Sequence, residues 1–429
     1  MALLRWQARL LLRRHRPLVV GITGTVGKTS AKEMARAVLS RRLVTRASSE
    51  SDNAEMSLLL TILGDRPRRD EAALWPSWAG RARLVGRGLR LVGKGAALAA
   101  VGGGYPQALV LEIGISRPGA MASSVRLADL DVAVITALGE VPVHVAGFAS
   151  PEAQRAEKLQ LLQGLRPQGT FVYNADDRHL RAAAAATPHR QIAYGLSSPD
   201  AQPRGVDYSV IMDASPTHAL PTGIAFVVAY GGSRVRLRLD GVLGRSHAYA
   251  ALAASAVGIA AGVPLEAVPA ALAELRPASG RMQLRRTGQQ AMVIDDTYNS
   301  SPLAARAALR ELGDLRVRRR VAVLGDMLEL GPFSEEEHAA VGTLAAATSD
   351  HLLCVGLHAP VVAAAAVASG LPRSSVEVFP EAGPAAGRAR DLVGEGDVVL
   401  VKGSRALRME RVVEALLSGT RSGPSSPAV

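Results

Sequence analysis

A chain of 429 residues, 48% hydrophobic and 21% charged, can form two or three domains with sizeable cores, which excludes a wholly disordered protein. Its single cysteine, Cys354, excludes an internal disulfide framework and fits a reducing compartment, so a cytoplasmic location is expected. A net charge of +12 favours acidic partners such as nucleotides, phosphates or an anionic membrane surface, while 3% aromatics leave few platforms for stacking on nucleic-acid bases.

Residues 1–17 read as a basic amphipathic helix. It either packs on the first domain, the reading adopted, or makes a peripheral membrane contact through its arginines. No small-residue cleavage site follows it, and no apolar run is long enough to span a membrane. Strands are expected at Leu18–Ile22, Ala108–Ile113, Val132–Thr136 and Gly169–Asn174, with helices at Ser30–Leu39 and Pro151–Leu165. Stricter alternation from Tyr208 to Leu239 predicts antiparallel strands, followed by helices at Ala248–Gly262 and Leu265–Leu275. The RPASGR break then divides the chain. Beyond it, strands recur at Ala291–Asp295, Arg320–Leu324, Leu352–Val355, Val376–Phe379 and Val398–Lys402.

The expected fold is α/β. A central phosphate-loop ATPase domain with a parallel sheet spans residues 18–276, and a Rossmann-like α/β domain spans 277–417. Residues 418–429 read as a disordered tail. The arginine-rich apolar segment Trp75–Gly104 fits a helical insertion, a substrate lid or a membrane-surface patch equally well.

The strongest local signal is Gly21-Ile-Thr-Gly24-Thr25-Val-Gly27-Lys28-Thr29-Ser30, lying between a strand and a helix. The backbone N–H groups of such a loop cradle phosphates, its lysine reaches the β- and γ-phosphates, and its Thr suits Mg²⁺. Ile22 stands where the general pattern has glycine, which makes this the T-G-T-x-G-K-T variant. Arginine outnumbers lysine 45 to five, the lysines being Lys28, Lys32, Lys94, Lys158 and Lys402. Each lysine kept is therefore a candidate for chemistry that arginine cannot perform.

The loop variant resembles that of the Mur ligase family of ATP-dependent amide-forming enzymes, in particular its MurF-like branch. The resemblance continues in order through LVLEIGISRPGAM, ITALGEVPVHVAGF, EKLQLLQGL, YNADD, GVLGRSHAYAALAA, SGRMQ, VIDDTYNSSP, VAVLGDMLELG and LVKGSR, covering roughly Leu18 to Glu414. It implies that ATP converts a carboxylate into an acyl phosphate, which an amine then attacks. In the MurF-like branch a UDP-linked muramoyl tripeptide receives D-alanyl-D-alanine. The resemblance assigns Gly24, Thr25, Gly27, Lys28, Thr29 and Ser30 to the phosphates. Thr29, Glu112, His144 and Lys158 go to Mg²⁺, with Lys158 carbamylated by CO₂. Arg281 is assigned to the ATP phosphates on domain closure, and Asp296 with Asn299 to the nucleotide. Lys28, His144, Lys158 and Arg281 are the catalytic set. GDMLELG (Gly325–Gly331) is expected to line the acceptor's site.

Three departures qualify this picture. About 17 residues precede the first strand, where MurF-like enzymes carry a UDP-binding domain of roughly 80–100 residues, so that domain is expected to be absent. Ala250 stands where the family has the asparagine that reads adenine, with His247 as a candidate substitute. Ala137 replaces another asparagine. Expected partners are ATP and peptide or amino-acid substrates, UDP-linked or not, with no nucleic acid, and a monomer is expected. The alternatives are a Mur-family ligase of another pathway, such as a folyl-polyglutamate-like enzyme, and a non-catalytic nucleotide-binding partner subunit.

Overall fold

The computed structural model describes residues 2–48, 55–65, 86, 90–95, 97, 104–142, 144–215 and 218–418. The expected tail from 419 onward and most of Trp75–Gly104 lie outside the described residues.

The unbroken apolar run β1 (Leu18–Thr23) forms the middle of a six-stranded sheet, buried on both faces as parallel strands are. Its companions are β2 (Thr45–Ala47), β3 (Ala108–Glu112), β4 (Leu130–Ile135), β5 (Leu165–Asn174) and β6 (Arg190–Tyr194), in the order β2-β3-β1-β4-β5-β6. Every pairing in this sheet is parallel. The order reverses at β1, so the crevice beyond its carboxyl end is where such a sheet receives a ligand.

Helix α1 (Ala2–His15) precedes β1 and buries Ala8, Leu11 and Leu12, as the packed-helix reading expects. Helix α2 (Lys28–Leu39) buries Ala31, Met34, Ala35, Val38 and Leu39, an i, i+3, i+4, i+7, i+8 stripe facing the sheet. Against it lies α3 (Arg245–Ala260), an alanine-rich helix buried almost all round. Alanine's small side chain lets α3 pack between α2 and a small antiparallel sheet, β7 (Arg204–Met212), β8 (Pro221–Tyr230) and β9 (Ser233–Asp240).

A second six-stranded sheet is ordered β10-β11-β15-β12-β13-β14. Its strands are β10 (Gln283–Arg286), β11 (Met292–Asp296), β12 (Arg319–Gly325), β13 (His351–Val355), β14 (Val376–Phe379) and β15 (Asp397–Lys402). Only β10 runs antiparallel, joined to β11 as a hairpin. Cys354 lies in β13, and burial pushes its thiol up to about 12, so it acts as a small core hydrophobe. Among the described residues no helix is long and apolar enough to cross a membrane.

Two expected helices are shorter than their sequence pattern. Pro151–Leu165 is α-helical only over Pro151–Leu159; Gln160–Gly164 tightens into a 3₁₀ turn that delivers the chain to β5. Leu265–Leu275 is a 3₁₀ turn followed by a helix over Val268–Ala273, since Pro269 suits a helix's first turn and not its interior.

Candidate active site

The phosphate loop leaves β1 at its carboxyl end. Gly24 has φ +145°, and a Cβ there would lie 2.1 Å from Thr136 Oγ1, so only glycine lets the loop pass this close to β4. Thr136 in turn donates to Val26 O at 2.6 Å, and Thr25 N donates to Ala137 O at 2.7 Å, fixing the loop from the β4 side. Gly27, at φ +83°, starts α2 without a side-chain cap, which leaves the first-turn N–H groups to a ligand. Lys28 Nζ donates to Gly24 O at 2.8 Å, folding its ammonium back over the loop. Gly24→Ala is expected to weaken nucleotide binding by about tenfold or more while leaving far-ultraviolet circular dichroism unchanged, which calorimetric titration of ATP would check.

Glu112 ends β3 beside this loop. Thr29 Oγ1 donates to both its carboxylate oxygens, at 2.8 and 2.9 Å. Two hard oxygen donors in contact are the chemistry that Mg²⁺ takes. Behind them the buried Lys32 approaches Glu112 to 3.5 Å and donates to Ser48 O at 2.7 Å, while Ser48 Oγ accepts from Glu112 N at 3.1 Å. Lys32 thus fixes the carboxylate from the rear. No motif in its vicinity pointed to it; the scarcity of lysine was the only available signal.

Lys158 sits near the end of the helix Pro151–Leu159, 4% exposed, its Nζ donating to Thr25 Oγ1 at 2.9 Å. Burial, then the charges of Lys28 and Arg155, pull its ammonium down to about 7. Arg155, one turn earlier and also buried, is held by the carbonyls of Gly139 and Glu140, at 3.2 and 2.7 Å. A large share of Lys158 is therefore a neutral, nucleophilic amine at neutral pH. Burial likewise lowers Lys28, with Glu112 opposing and Arg281 adding to the shift.

Arg281 lies in the other half of the chain. Its guanidinium stacks on the ring of Tyr298 at 4.0 Å, and Arg405 approaches the same ring at 5.2 Å. Gly280, at φ +70°, lets its carbonyl accept from Tyr298 N at 3.0 Å. Asp296, at the end of β11, accepts from Met282 N at 3.2 Å and from the buried Lys402 Nζ at 2.6 Å. Lys402 also donates to Asn299 O at 3.1 Å. Replacing Lys402 by methionine strands Asp296 without its cation; a loss of about 3 kcal/mol is expected, read as an earlier thermal unfolding transition.

Ala250 is buried in α3. His247, one turn earlier, is committed to the RPASGR segment: its Nε2 bonds Arg281 O at 2.9 Å, and burial lowers its pKa.

His144 makes its polar contact across the two halves, with Glu329 of the GDMLELG loop, and Ala146 N donates to Glu329 O at 3.2 Å. Both residues hold left-handed backbones, φ +67° and +63°, a conformation rare without glycine and found where a site over-determines it. Glu329 is thus a second functional candidate that only the tertiary fold brings to His144. Behind this loop, its Asp326, His338 of the helix Ser334–Thr348 and His358 before the helix Ala359–Ala368 place one ligand atom each within 4.8 Å of one another. Asp326 accepts the N–H groups of Leu357 and His358, at 2.8 and 3.0 Å, while His338 accepts Met327 N at 2.9 Å on Nε2 and bonds Ser334 O through Nδ1. With both its ring nitrogens engaged, His338 has no lone pair for a metal, and the cluster braces the loop that carries Glu329.

Family models match on either side of the hinge loop: the Mur ligase middle domain over residues 93–258 and the Mur ligase glutamate ligase domain over residues 280–405. The UDP-N-acetylmuramoyl-tripeptide--D-alanyl-D-alanine ligase of Mycobacterium leprae is 30% identical over 425 residues, covering 93% of this chain and 73% of that protein. This chain belongs to the Mur ligase family. The Escherichia coli ligase of the same name is 29% identical over 401 residues, covering 93% of this chain and 76% of the relative. MurF of Thermotoga maritima, solved with ADP, superposes with a TM-score of 0.74 at 24% identity, over 96% of this chain and 82% of that one, and so shares the fold. As a MurF-like Mur ligase the chain is an ATP-dependent ligase that joins a carboxylate to an amine.

Proposed function

We propose that this Mur ligase adds D-alanyl-D-alanine, or a closely similar dipeptide, to the peptide of a UDP-linked muramoyl precursor. The observation that carries the reading is the cluster at the carboxyl end of the first sheet. There the Thr29–Glu112 oxygen pair, Lys28 and the near-neutral Lys158 converge on one phosphate loop. The relatives' shared name supplies the substrates.

In this reading residues 18–276 hold the phosphates, and 277–417 close over the nucleotide. Thr29, Glu112, His144 and a carbamate on Lys158 would hold Mg²⁺, which supplies charge neutralisation for the transferring phosphoryl group. Lys28 and the loop N–H groups orient the γ-phosphate toward the donor carboxylate. Arg281, held flat by Tyr298 and tethered through its carbonyl to His247, brings positive charge to the phosphates from the second half. Asp296, anchored by Lys402, accepts hydroxyl hydrogens of the nucleotide sugar. Closure of the Glu329 loop over His144 excludes water, which would otherwise hydrolyse the acyl phosphate.

The test is phosphate release from ATP, with Mg²⁺ and bicarbonate present. UDP-muramoyl tripeptide and D-alanyl-D-alanine are supplied separately and together, and the product is weighed by mass spectrometry. Release that requires both, with a matching amide product, is expected. Release coupled instead to a different amine or donor would move the enzyme to another pathway.

A further inference from the structure

Helix α1 has two faces, and its packing accounts for only one. Ala8, Leu11 and Leu12 are buried, Leu11 in a cluster with Leu63 and Tyr105, and His15 stacks on Tyr105 at 4.6 Å, so the helix is pinned to the domain. On the other side Leu3, Trp6 and Leu10 are 51%, 60% and 37% exposed. At 3.6 residues per turn these three side chains fall within about 60° of one another, and Arg13 and Arg14 flank them about 20° to either side. Arg9 lies next along the same surface and donates to Arg126 O at 3.0 Å, which brings the exposed Arg126 alongside. Arg5, Arg9 and Arg126 share a cleft of about 50 Å³, where Glu55, bonded to Arg5, is the acidic side chain.

From this arrangement we propose that the outer face of α1 seats the enzyme on an anionic lipid bilayer surface. Trp6 and the two leucines enter the headgroup boundary, and the flanking arginines meet lipid phosphates. The pattern is that of an interfacial helix: an apolar stripe with tryptophan, edged by arginine. Nucleic acid offers phosphates to the arginines but nothing to an exposed Leu3–Trp6–Leu10 stripe, so charge and apolar surface together select lipid. Because the buried face stays packed, docking needs no rearrangement of the domain, and with three apolar anchors it is reversible.

The experiment is co-sedimentation of the full chain with vesicles of phosphatidylcholine containing phosphatidylglycerol, against vesicles of phosphatidylcholine alone. The wild type is expected to bind the anionic vesicles and to be released by salt. Each arginine near the surface contributes about fivefold in partitioning, so the Arg9→Gln, Arg13→Gln, Arg14→Gln triple variant should lose about a hundredfold. The Leu3→Ser, Trp6→Ser, Leu10→Ser variant should lose at least about tenfold. Val44→Ser, at an exposed apolar position on a different segment, should bind as the wild type does. The side chains replaced in all three variants are exposed, so unchanged melting temperatures and ATP binding are expected for every variant. Absence of binding to anionic vesicles overturns the proposal. So does binding that survives the triple serine variant, since another surface would then be responsible. A wild-type dimer that the serine variant turns into a monomer, without vesicle binding, would assign the face to a second copy of the chain and overturn it equally.

Discussion

Lys158→Ala is expected to lower ligase turnover by about 10²–10³-fold, the scale of losing one preorganised charge at a phosphoryl-transfer site. The physical reason lies in its surroundings. Lys158 is buried beside Lys28 and Arg155, and its ammonium falls to about 7. Three cations at one phosphate loop repel each other, while conversion of the neutral amine to a carbamate turns one of them into an anion. Turnover at limiting bicarbonate should therefore rise as pH increases through about 7, as the amine loses its proton. Short carboxylic acids should partly restore the alanine variant by standing in for the carbamate.

Stability should move the other way. A lysine whose folded pKa lies below its unfolded value lowers stability fully at pH below the folded value, and that penalty fades as pH rises toward the ordinary lysine range. Lys158→Met should thus melt later than the wild type at pH 6–7, by an amount on the order of 1 kcal/mol or more, with the difference vanishing in strongly alkaline buffer. Thermal melts of the two proteins across pH would show it. A residue that costs stability and supports turnover is the signature of a functional lysine; equal melting and equal turnover would make Lys158 an ordinary buried side chain.

Lys28→Ala should be at least as damaging. Lys28 Nζ rests on Gly24 O at 2.8 Å, and its charge interacts with Glu112 on one side and Arg281 on the other. Charges from both halves of the chain thus act on it. Removing it should raise the KM for ATP and lower kcat, by about 10²–10³-fold in kcat/KM. Lys28→Arg should not rescue the activity, because the loop is crowded at Gly24 and a planar guanidinium cannot fold back onto that carbonyl. In a chain that uses arginine almost everywhere else, that comparison is especially informative. Steady-state kinetics of both variants, with ATP affinity measured separately, would check it.

The buried strands of both sheets were legible because central parallel strands must be continuously apolar. Of the four edge strands only Val376–Phe379 was. Thr45–Ala47 has three residues, Arg190–Tyr194 opens on two exposed polar side chains, and Gln283–Arg286 carries two arginines. Each pairs on one side only and needs no apolar run. The phosphate loop and Glu112 could be read because a single strand–loop–helix unit and one neighbouring strand end carry them. The contacts of Lys32, Tyr298 and Glu329 could not, although lysine scarcity marked the first and the GDMLELG loop contains the last, since their partners come from other parts of the chain. Lys32 meets Ser48 and Glu112, Tyr298 meets Arg281 and Arg405, and Glu329 meets His144. Lysine scarcity was the best global signal: Lys28, Lys32, Lys158 and Lys402 all bond residues of the candidate site, and Lys94 bonds Gly64 O elsewhere.

The proposed function rests on activation of the donor carboxylate as an acyl phosphate. The most direct test labels that carboxylate with oxygen-18 and follows the label during a single round of coupling. Attack of the amine on the acyl carbon breaks the bond between that carbon and the bridging oxygen, which came from the carboxylate. One labelled oxygen in inorganic phosphate is therefore expected for every amide formed. Unlabelled phosphate alongside amide product would contradict it.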